Sequence, residues 1–206
     1  MKISYAIPVC NEHVELEKLL SFLLKYISKD DEIVIQCDQG NTTHEVYKVL
    51  GKFNNPQIKT IEFPLRGDFA SFKNNLKNNC EKEWIFQIDA DEIPHKDLIC
   101  NLRELLKINP NTELLLVPRV NTVEGLTQLH INKWRWHINE KNWVNWPDYQ
   151  TRIIQNSPKI QWVSKVHEVI TGFSTKGLLP AEEEWCLYHH KHILRQEAQN
   201  NFYDTI

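Results

Sequence analysis

Residues 85–94, IFQIDADEIP, decide the fold, because an apolar strand pattern ends there in three acids within four positions. The carboxylates of Asp89, Asp91 and Glu92 repel one another, so a nearby cation has to compensate them. In an extended segment residues 89 and 91 point to the same side and can aim two carboxylates at one point. Such oxygen ligands suit Mg²⁺ or Mn²⁺, which keep coordination positions open for substrate phosphates. The stretch predicts a divalent-cation site; the alternative is a solvated acidic turn that caps the next helix.

Strand and helix patterns alternate on both sides of this stretch. Apolar runs predict strands at residues 3–9, 32–38, 58–63, 84–88 and 113–120. Leucines at helical spacing predict an amphipathic helix over residues 16–27, and Asp68 is a plausible N-cap for another. Shorter apolar patterns predict further helices near residues 46–50 and 98–106. This alternation predicts an α/β fold with a mainly parallel central sheet flanked by helices.

The pattern changes after residue 120. Residues 131–168 contain five tryptophans and little helical periodicity, which predicts a small antiparallel portion of short strands and loops at the sheet edge. The tail from about His192 predicts a helix. With no repeat, low-complexity segment or linker, residues 1–206 are predicted to form a single domain.

Composition narrows the partners and the location. With 206 residues, of which 41% are hydrophobic, the chain has enough apolar mass for one ordinary core. Its net charge of -3 gives no basic excess, so no nucleic-acid partner is expected. The five cysteines are widely spaced without a CxxC pair, which favours free thiols in a reducing cytosol. Without a signal region or a long apolar run, we expect a cytoplasmic protein with no transmembrane segment.

Polar residues follow three of the predicted strands, where they are expected to converge because ligands bind outside the carboxyl ends of parallel strands. Neither GxGxxG nor GxxxxGK[ST] occurs, which removes the usual support for hydride transfer and for P-loop phosphoryl transfer. The three clusters are Cys10-Asn11-Glu12, Asp38-Gln39 and Asp89-Ala90-Asp91.

An ordered set of short motifs resembles the GT-A glycosyltransferases of family 2. The set is AIPVCNE (6–12), CDQG (37–40), GDFASFKNN (67–75), WIFQIDADE (84–92), WVSKVHE (162–168) and LYHH (187–190). The resemblance implies a GT-A fold, with residues 1–110 as the nucleotide-sugar-binding half and residues 111–206 as the acceptor-side half with a C-terminal helix. It implies transfer of a sugar, with inversion, from a nucleotide-sugar to a glycan or other hydroxyl acceptor, aided by Mn²⁺ or Mg²⁺.

The same resemblance implies roles for individual residues. Asp38 would accept a hydrogen bond from a base imide, which makes UDP the first expectation for the nucleotide. Lys73, where the family more often has arginine, would reach the diphosphate as a point charge. Asp91 would ligate the metal, with Asp89 holding the ribose or assisting the metal and His189 as a further ligand. The nucleotide-binding set comprises Pro8, Val9, Asn11, Glu12, Asp38, Lys73, Asp89 and Ala90.

Inversion by direct displacement requires a general base near the acceptor hydroxyl. The resemblance implies Glu168 for this role, with Asp148 in WPDYQTR as the reserve. The alternative for Glu168 is an ion pair at a strand edge, with Lys165 or a neighbour.

Histidines and tryptophans leave further alternatives open. His189, His190 and His192 invite a zinc interpretation, but neighbouring strand residues face opposite ways and no cysteine has zinc spacing nearby. Aromatic faces stack on sugar rings, so a tryptophan could form an acceptor platform or simply pack in the core. The candidates are Trp134, Trp136, Trp143 and Trp146.

Two other classes of function would use similar residues. A metal-dependent nucleotidyltransferase or phosphohydrolase also needs paired carboxylates and a divalent ion, but it releases pyrophosphate or phosphate. An inactive nucleotide- or carbohydrate-binding module would bind its ligand without turnover.

Overall fold

The computed structural model describes the backbone of residues 1–203 and the side chains of residues 1–198. The first half alternates strands and helices, as its sequence pattern predicts. Its elements are β1 (Ile3–Val9), α1 (His13–Tyr26), β2 (Glu32–Asp38), α2 (His44–Lys52), β3 (Ile58–Phe63), α3 (Phe69–Asn78), β4 (Trp84–Gln87), β5 (Glu92–Pro94) and α4 (Lys96–Ile108).

The second half contains longer strands and fewer helices. Its elements are β6 (Leu114–Glu124), α5 (Gln128–Trp134), β7 (Val144–Gln155), β8 (Gln161–Val163), β9 (Val169–Thr171), β10 (Lys176–Leu178), a 3₁₀ turn (Glu183–Trp185), β11 (Leu187–His192) and α6 (Ile193–Tyr203). The helix predicted from about His192 is therefore confirmed.

Nine strands form one mixed sheet in the order β3-β2-β1-β4-β7-β6-β11-β5, with β10 added beside β6. β1 pairs in parallel with β2 and β4, and β2 pairs in parallel with β3. β7 runs antiparallel to both β4 and β6, whereas β11 is parallel to β6. The prediction of a mainly parallel sheet is confirmed. The antiparallel pairs of β7 join its two halves, and β5 pairs antiparallel with β11 at the end of the sheet.

Two apolar cores cover the two faces of the sheet because side chains alternate along each strand. Ile3, Tyr5 and Ile7 of β1 pack in the core that contains the buried leucines of α1 and α4. Ala6 of the same strand belongs to the second core, with Leu76 of α3. The helices are thus distributed over both faces, and the carboxyl ends of the central strands stay open at one edge.

Helix α3 begins where its sequence predicts. The Asp68 side chain accepts a hydrogen bond from the Ser71 backbone N–H at 2.9 Å, which satisfies one of the free donors of the first turn. Asn74, on the next turn, exchanges two hydrogen bonds with the Trp162 backbone, at 2.8 and 2.9 Å. The hairpin of β8 and β9 is thereby attached to α3.

The prediction of short strands and loops over residues 131–168 is wrong in two respects. α5 is a helix up to Trp134, and β7 is a strand of twelve residues in the middle of the main sheet. The pattern of apolar residues misses β7 because its central part alternates aromatic side chains (Trp146, Tyr149) with polar ones (Asp148, Gln150), and the polar ones line the cavities described below. The short antiparallel pair that was predicted is present as β8 and β9.

Candidate active site

A cavity of about 460 Å³ opens at the carboxyl ends of β1, β2 and β4. The predicted convergence of the polar strand ends is thus found in the structure: all three clusters contribute to the wall. Asn11 and Asp148 are the predicted site residues that do not line it. Those that do are Pro8, Val9, Glu12, Asp38, Lys73, Asp89, Ala90, Asp91, Glu168 and His189.

The acidic stretch forms a turn, so the prediction of an extended D-x-D segment is wrong. The Glu92 backbone N–H donates to the Asp89 carbonyl oxygen at 2.9 Å, which closes the turn over Ala90 and Asp91. The Glu92 carboxylate also accepts from the Asp89 backbone N–H at 3.1 Å. The two aspartates consequently reach the same cavity while their carboxylates have different partners.

Two arginines supply most of the compensating charge. Arg152 of β7 donates through one nitrogen to Asp89 and to Glu92, the latter at 2.7 Å. Arg119 of β6 donates to Glu92 at 3.0 Å, and with two other bonds to Asp148 at 2.7 and 3.0 Å. Glu92 is fully buried, so both contacts take place away from water. The predicted compensating cation is therefore present, and for Glu92 and Asp89 it is an arginine side chain of the protein.

Ionisation of these acids follows from their partners. Burial alone would raise the pKa of Asp89, but Arg152 and Lys73 hold it below its ordinary value. Burial also opposes the ionisation of Asp148, whose pKa is nonetheless lowered by Arg119 and by hydrogen bonds from Asn121 and Gln150. Both carboxylates are therefore stabilised as anions.

Asp91 has a different set of neighbours. Its Oδ2 lies 3.3 Å from Nε2 of His189 and 3.5 Å from the Arg195 guanidinium. Burial opposes its charge, but His189, Lys191 and Arg195 lower its pKa. A carboxylate oxygen and an imidazole nitrogen that face the same space at the cavity wall are suitable ligands for Mn²⁺ or Mg²⁺.

In the described part of the chain, no group of three or more His, Cys, Asp or Glu side chains could hold a metal by itself. A cation beside Asp91 and His189 would thus need phosphate oxygens or water to complete its coordination, which is the usual situation for Mg²⁺. His190 lies on the other side of its strand, where its Nδ1 is 2.8 Å from the Thr122 hydroxyl. This arrangement gives no support to a zinc site at the three histidines.

Glu168 and Lys73 both line the cavity and contact each other directly as an ion pair. The Lys73 ammonium also lies 4.4 Å from the centre of the Trp162 ring, a cation–π contact. The Phe69 backbone N–H donates to the Lys165 carbonyl at 2.9 Å, which fixes the loop before Glu168 to the start of α3. The alternative of an ion pair for Glu168 is therefore found, with Lys73 in place of Lys165.

The loop after β1 is held by Glu12. Its Oε2 accepts from the backbone N–H groups of Cys10 and Asn11 at 2.9 and 3.0 Å, and its Oε1 accepts from Arg195 at 3.0 Å. Asn11 is exposed outside the cavity. Asp38 accepts from the Leu65 N–H at 2.9 Å and from the Asn41 amide at 3.0 Å, so each of its oxygens has one described partner.

A second cavity, of about 260 Å³, shares Arg119, His189 and Lys191 with the first. Trp136 lines it, together with Asp148 and other residues of β6 and β7. Trp136 is half-buried and its ring centre lies 4.6 Å from that of Trp134. Trp143 and Trp146 form a separate edge-to-face pair. Of the four candidate tryptophans, only Trp136 lines one of the two cavities described.

Sequence reasoning missed the residues that hold the acids in place. Arg119 falls within the predicted strand at residues 113–120 and Arg152 within WPDYQTR, but neither is predicted as a site residue, and Glu92 enters only as a third acid. A usable signal was present: an arginine in an otherwise apolar strand, as in LLLVPRV and TRII, is rarely buried without a carboxylate partner. Cys10, Gln150 and Lys191 also line the main cavity.

All five cysteines are free thiols, as predicted. Among the described helices, none combines the length and the apolar character that a membrane span requires.

The mixed, mostly parallel sheet flanked by helices matches the GT-A fold of glycosyltransferases. A family model described as "Glycosyl transferase family 2" matches residues 4–170. The chain therefore belongs to glycosyl transferase family 2, which confirms the resemblance of its motifs. No curated protein matches the chain in sequence.

Solved structures of S. aureus TarS share the fold. TarS 1–349 has a TM-score of 0.62 and 16% sequence identity, over 92% of this chain and 60% of that chain. Its complex with UDP-GlcNAc has a TM-score of 0.62 and 15% sequence identity, over 93% of this chain and 59% of that chain. Its complex with UDP has a TM-score of 0.63 and 15% sequence identity, over 92% of this chain and 60% of that chain. The chain thus spans about three fifths of TarS 1–349.

The ion pairs of Asp148 predict an acid-dependent loss of stability. Because the folded-state pKa lies below the unfolded value of about 3.9, the contribution of Asp148 is present above that pH and is lost as pH falls through the folded pKa. We expect Asp148→Asn to lower the free energy of unfolding by about 1–3 kcal/mol at pH 6 and by less at pH 3, in urea titrations. Asp30→Asn, at an exposed carboxylate 3.8 Å from Lys2, is the control. A loss for Asp148→Asn that is equal at both pH values would contradict the expectation.

Proposed function

We propose that the protein transfers a sugar from a nucleoside diphosphate sugar to a hydroxyl-bearing acceptor such as a glycan, with inversion at the anomeric carbon. The observation that supports this most is the composition of one cavity. It presents the Asp91–His189 pair for a divalent cation, Lys73 for a diphosphate and Glu168 for a proton, and Asp38 also lines it. Family membership supports the same class of reaction.

Asp91 and His189 are the proposed protein ligands for Mn²⁺ or Mg²⁺. When bound, the cation neutralises charge that develops on the departing diphosphate. Asp89 is less suited to ligation because its carboxylate is already held by Arg152. In this arrangement Asp89 accepts from a ribose hydroxyl and assists the cation through its charge alone.

The nucleotide side of the cavity is proposed at β1 and β2. Asp38 retains lone pairs for a base imide, since a carboxylate offers about four acceptor positions and its described contacts use two. Pro8, Val9 and Ala90 supply wall surface beside it. UDP is the first nucleotide to test, because an imide N–H suits Asp38 and because S. aureus TarS was crystallised with UDP and with UDP-GlcNAc.

Lys73 and Glu168 exchange partners when the donor binds. In the free protein each neutralises the other. A diphosphate carries more negative charge than one carboxylate, so the Lys73 ammonium moves toward the phosphate oxygens. Glu168 is then released to accept a hydrogen bond from the acceptor hydroxyl, and it becomes a competent general base only in the presence of donor.

The reaction is a single displacement. The acceptor oxygen forms a bond to the anomeric carbon, the bond from that carbon to the diphosphate oxygen breaks, and the hydroxyl proton passes to Glu168. Nucleoside diphosphate is the leaving group, and the Lys73 ammonium neutralises part of its negative charge. Asp148 does not suit the role of base, because its oxygens accept four hydrogen bonds and its pKa is lowered.

The second cavity is the proposed acceptor site. It joins the first through Arg119, His189 and Lys191, so that an acceptor bound there lies next to the donor. The Trp136 ring offers an apolar surface for the face of a sugar ring. Asn145 and Asn121 in the same wall can bind hydroxyl groups.

Donor binding is tested with a thermal-shift panel of UDP, GDP and their sugars, each with and without Mn²⁺. A ligand that binds only the folded state raises the melting temperature, and we expect the largest shift for a nucleotide together with Mn²⁺. Asp91→Ala should abolish the Mn²⁺-dependent part of that shift, whereas Asp30→Ala, at an exposed acid, should preserve it. An Asp91→Ala protein with an undiminished Mn²⁺ effect would place the cation elsewhere.

The general base is tested with Glu168→Gln, which keeps the size of the side chain but cannot take a proton. We expect turnover to fall by about 100-fold or more while the thermal shift with nucleotide is retained. Glu45→Gln, at an exposed position of α2, serves as the control. Product analysis should find nucleoside diphosphate; pyrophosphate or phosphate would instead indicate a nucleotidyltransferase or a phosphohydrolase.

The acceptor site is tested with Trp136→Ala. Loss of an aromatic contact of about 0.5–1.5 kcal/mol should raise the KM for a glycan acceptor roughly 2–10-fold, without changing the KM for the donor. Trp143→Ala is the matched control, since this ring pairs with Trp146 and lines neither cavity described. Equal effects of the two variants would argue against Trp136 as an acceptor contact.

A further inference from the structure

Three neighbouring strands place Asp148, Asn121 and His189 in a row. β11 pairs with β6 so that His189 lies opposite Asn121, and β7 pairs with β6 so that Asp148 lies opposite Arg119. The row continues from His189 to Asp91 at the cavity wall. The register of the sheet therefore connects a carboxylate of the second cavity with the proposed cation site.

Asp148 determines the orientation of the Asn121 amide. An ionised carboxylate can only accept hydrogen bonds, and Asp148 is held in that form by two bonds from Arg119 and one from Gln150. Nδ2 of Asn121 donates to Asp148 Oδ2 at 2.8 Å. Because the amide nitrogen faces the carboxylate, the amide oxygen faces the opposite way, toward His189.

The Asn121 oxygen in turn determines the tautomer of His189. Oδ1 lies 2.8 Å from Nδ1 of His189, and a carbonyl oxygen can only accept, so Nδ1 carries the proton. In a neutral imidazole the other nitrogen then has a free lone pair. That nitrogen, Nε2, is the one that lies 3.3 Å from Asp91 Oδ2.

When Nε2 carries no proton, it and the Asp91 carboxylate oxygen offer lone pairs to the same space, and two such acceptors attract a cation placed between them. A histidine that binds a metal commonly donates its other N–H to an oxygen, which fixes the ring and the tautomer. His189 is buried, so the ring has little freedom to turn away. Resting on the function proposed above, we propose that Asp148 and Asn121 are positioning residues that present Nε2 of His189 to a divalent cation beside Asp91.

The tautomer is tested by ¹⁵N NMR of histidine-labelled protein free of metal, donor and acceptor. His189→Gln assigns the His189 signals among the nine histidines of the chain. We expect the tautomer ratio of the neutral ring to favour a proton on Nδ1, because this nitrogen donates to the Asn121 oxygen. Asp148→Asn and Asn121→Ala should both change this ratio, although Asp148 does not contact His189 in the row.

The cation affinity is measured on the same proteins with Mn²⁺ alone, from the EPR signal of the free ion. We expect both variants to lower the Mn²⁺ affinity by about 10–100-fold, which is typical for the loss of a partner that orients a metal-binding histidine. Thr122→Val is the matched control, because it removes a hydrogen bond of the same length, from the same strand, to the neighbouring His190. It should leave both the His189 signals and the Mn²⁺ affinity unchanged.

A neutral His189 ring with its proton on Nε2 in the original protein, or a tautomer ratio that neither variant changes, would overturn the assignment. An altered ratio with unchanged Mn²⁺ affinity would also overturn it, because the tautomer would then not serve the cation. Urea unfolding shows whether each variant remains folded. If Asn121→Ala is unfolded, the NMR and EPR results of the isosteric Asp148→Asn variant decide the test. Neither readout involves sugar transfer, so an inactive protein with the expected NMR and EPR results would contradict the proposed function alone.

Discussion

Glu92 is the residue on which the geometry of the site depends. It is fully buried, and one of its oxygens accepts hydrogen bonds from both Arg119 and Arg152. Its other oxygen accepts from the Asp89 backbone N–H, inside the acidic turn. Removal of one partner from such a buried ionic group typically costs about 3–5 kcal/mol, because the remaining charges are left uncompensated. The turn, and with it the direction of both aspartates, is thereby tied to two strands that are distant in sequence.

The network also supports the proposal that Asp91, rather than Asp89 or Glu92, binds a cation. Glu92 and Asp89 are neutralised by arginines that cannot lose their protons. Asp91 lies at the end of the turn beside an imidazole and beside Arg195 at 3.5 Å. We therefore do not expect the D-x-D pattern to act as two equivalent ligands. Both carboxylates reach the cavity, but that of Asp89 is held by Arg152, whereas that of Asp91 lies beside His189.

Most of the fold could be predicted from sequence because its first half is built from local periodicity. β1, β2 and β3 begin and end where their apolar runs do, and Asp68 caps α3 as predicted. The partners of the acids could not be predicted in the same way. Arg119 and Arg152 reach Glu92 through strand pairings between distant segments, and a D-x-D motif does not reveal whether its backbone is extended or turned. The arginine partners of the acids are determined by pairing between strands that are distant in sequence, and local secondary-structure propensity does not predict them.

The proposed roles fall on two sides of the cavity that are held by different parts of the chain. Lys73 and Glu168 come from α3 and from the hairpin that Asn74 attaches to it. Asp91 and His189 come from the acidic turn and from β11, which pairs with β5 at the other end of the sheet. A nucleoside diphosphate between them would contact both sides at once, since its charge attracts Lys73 and a cation on Asp91 alike. Release of Glu168 from Lys73 would then depend on the same phosphates that complete the cation's coordination, so base and leaving group would become competent together.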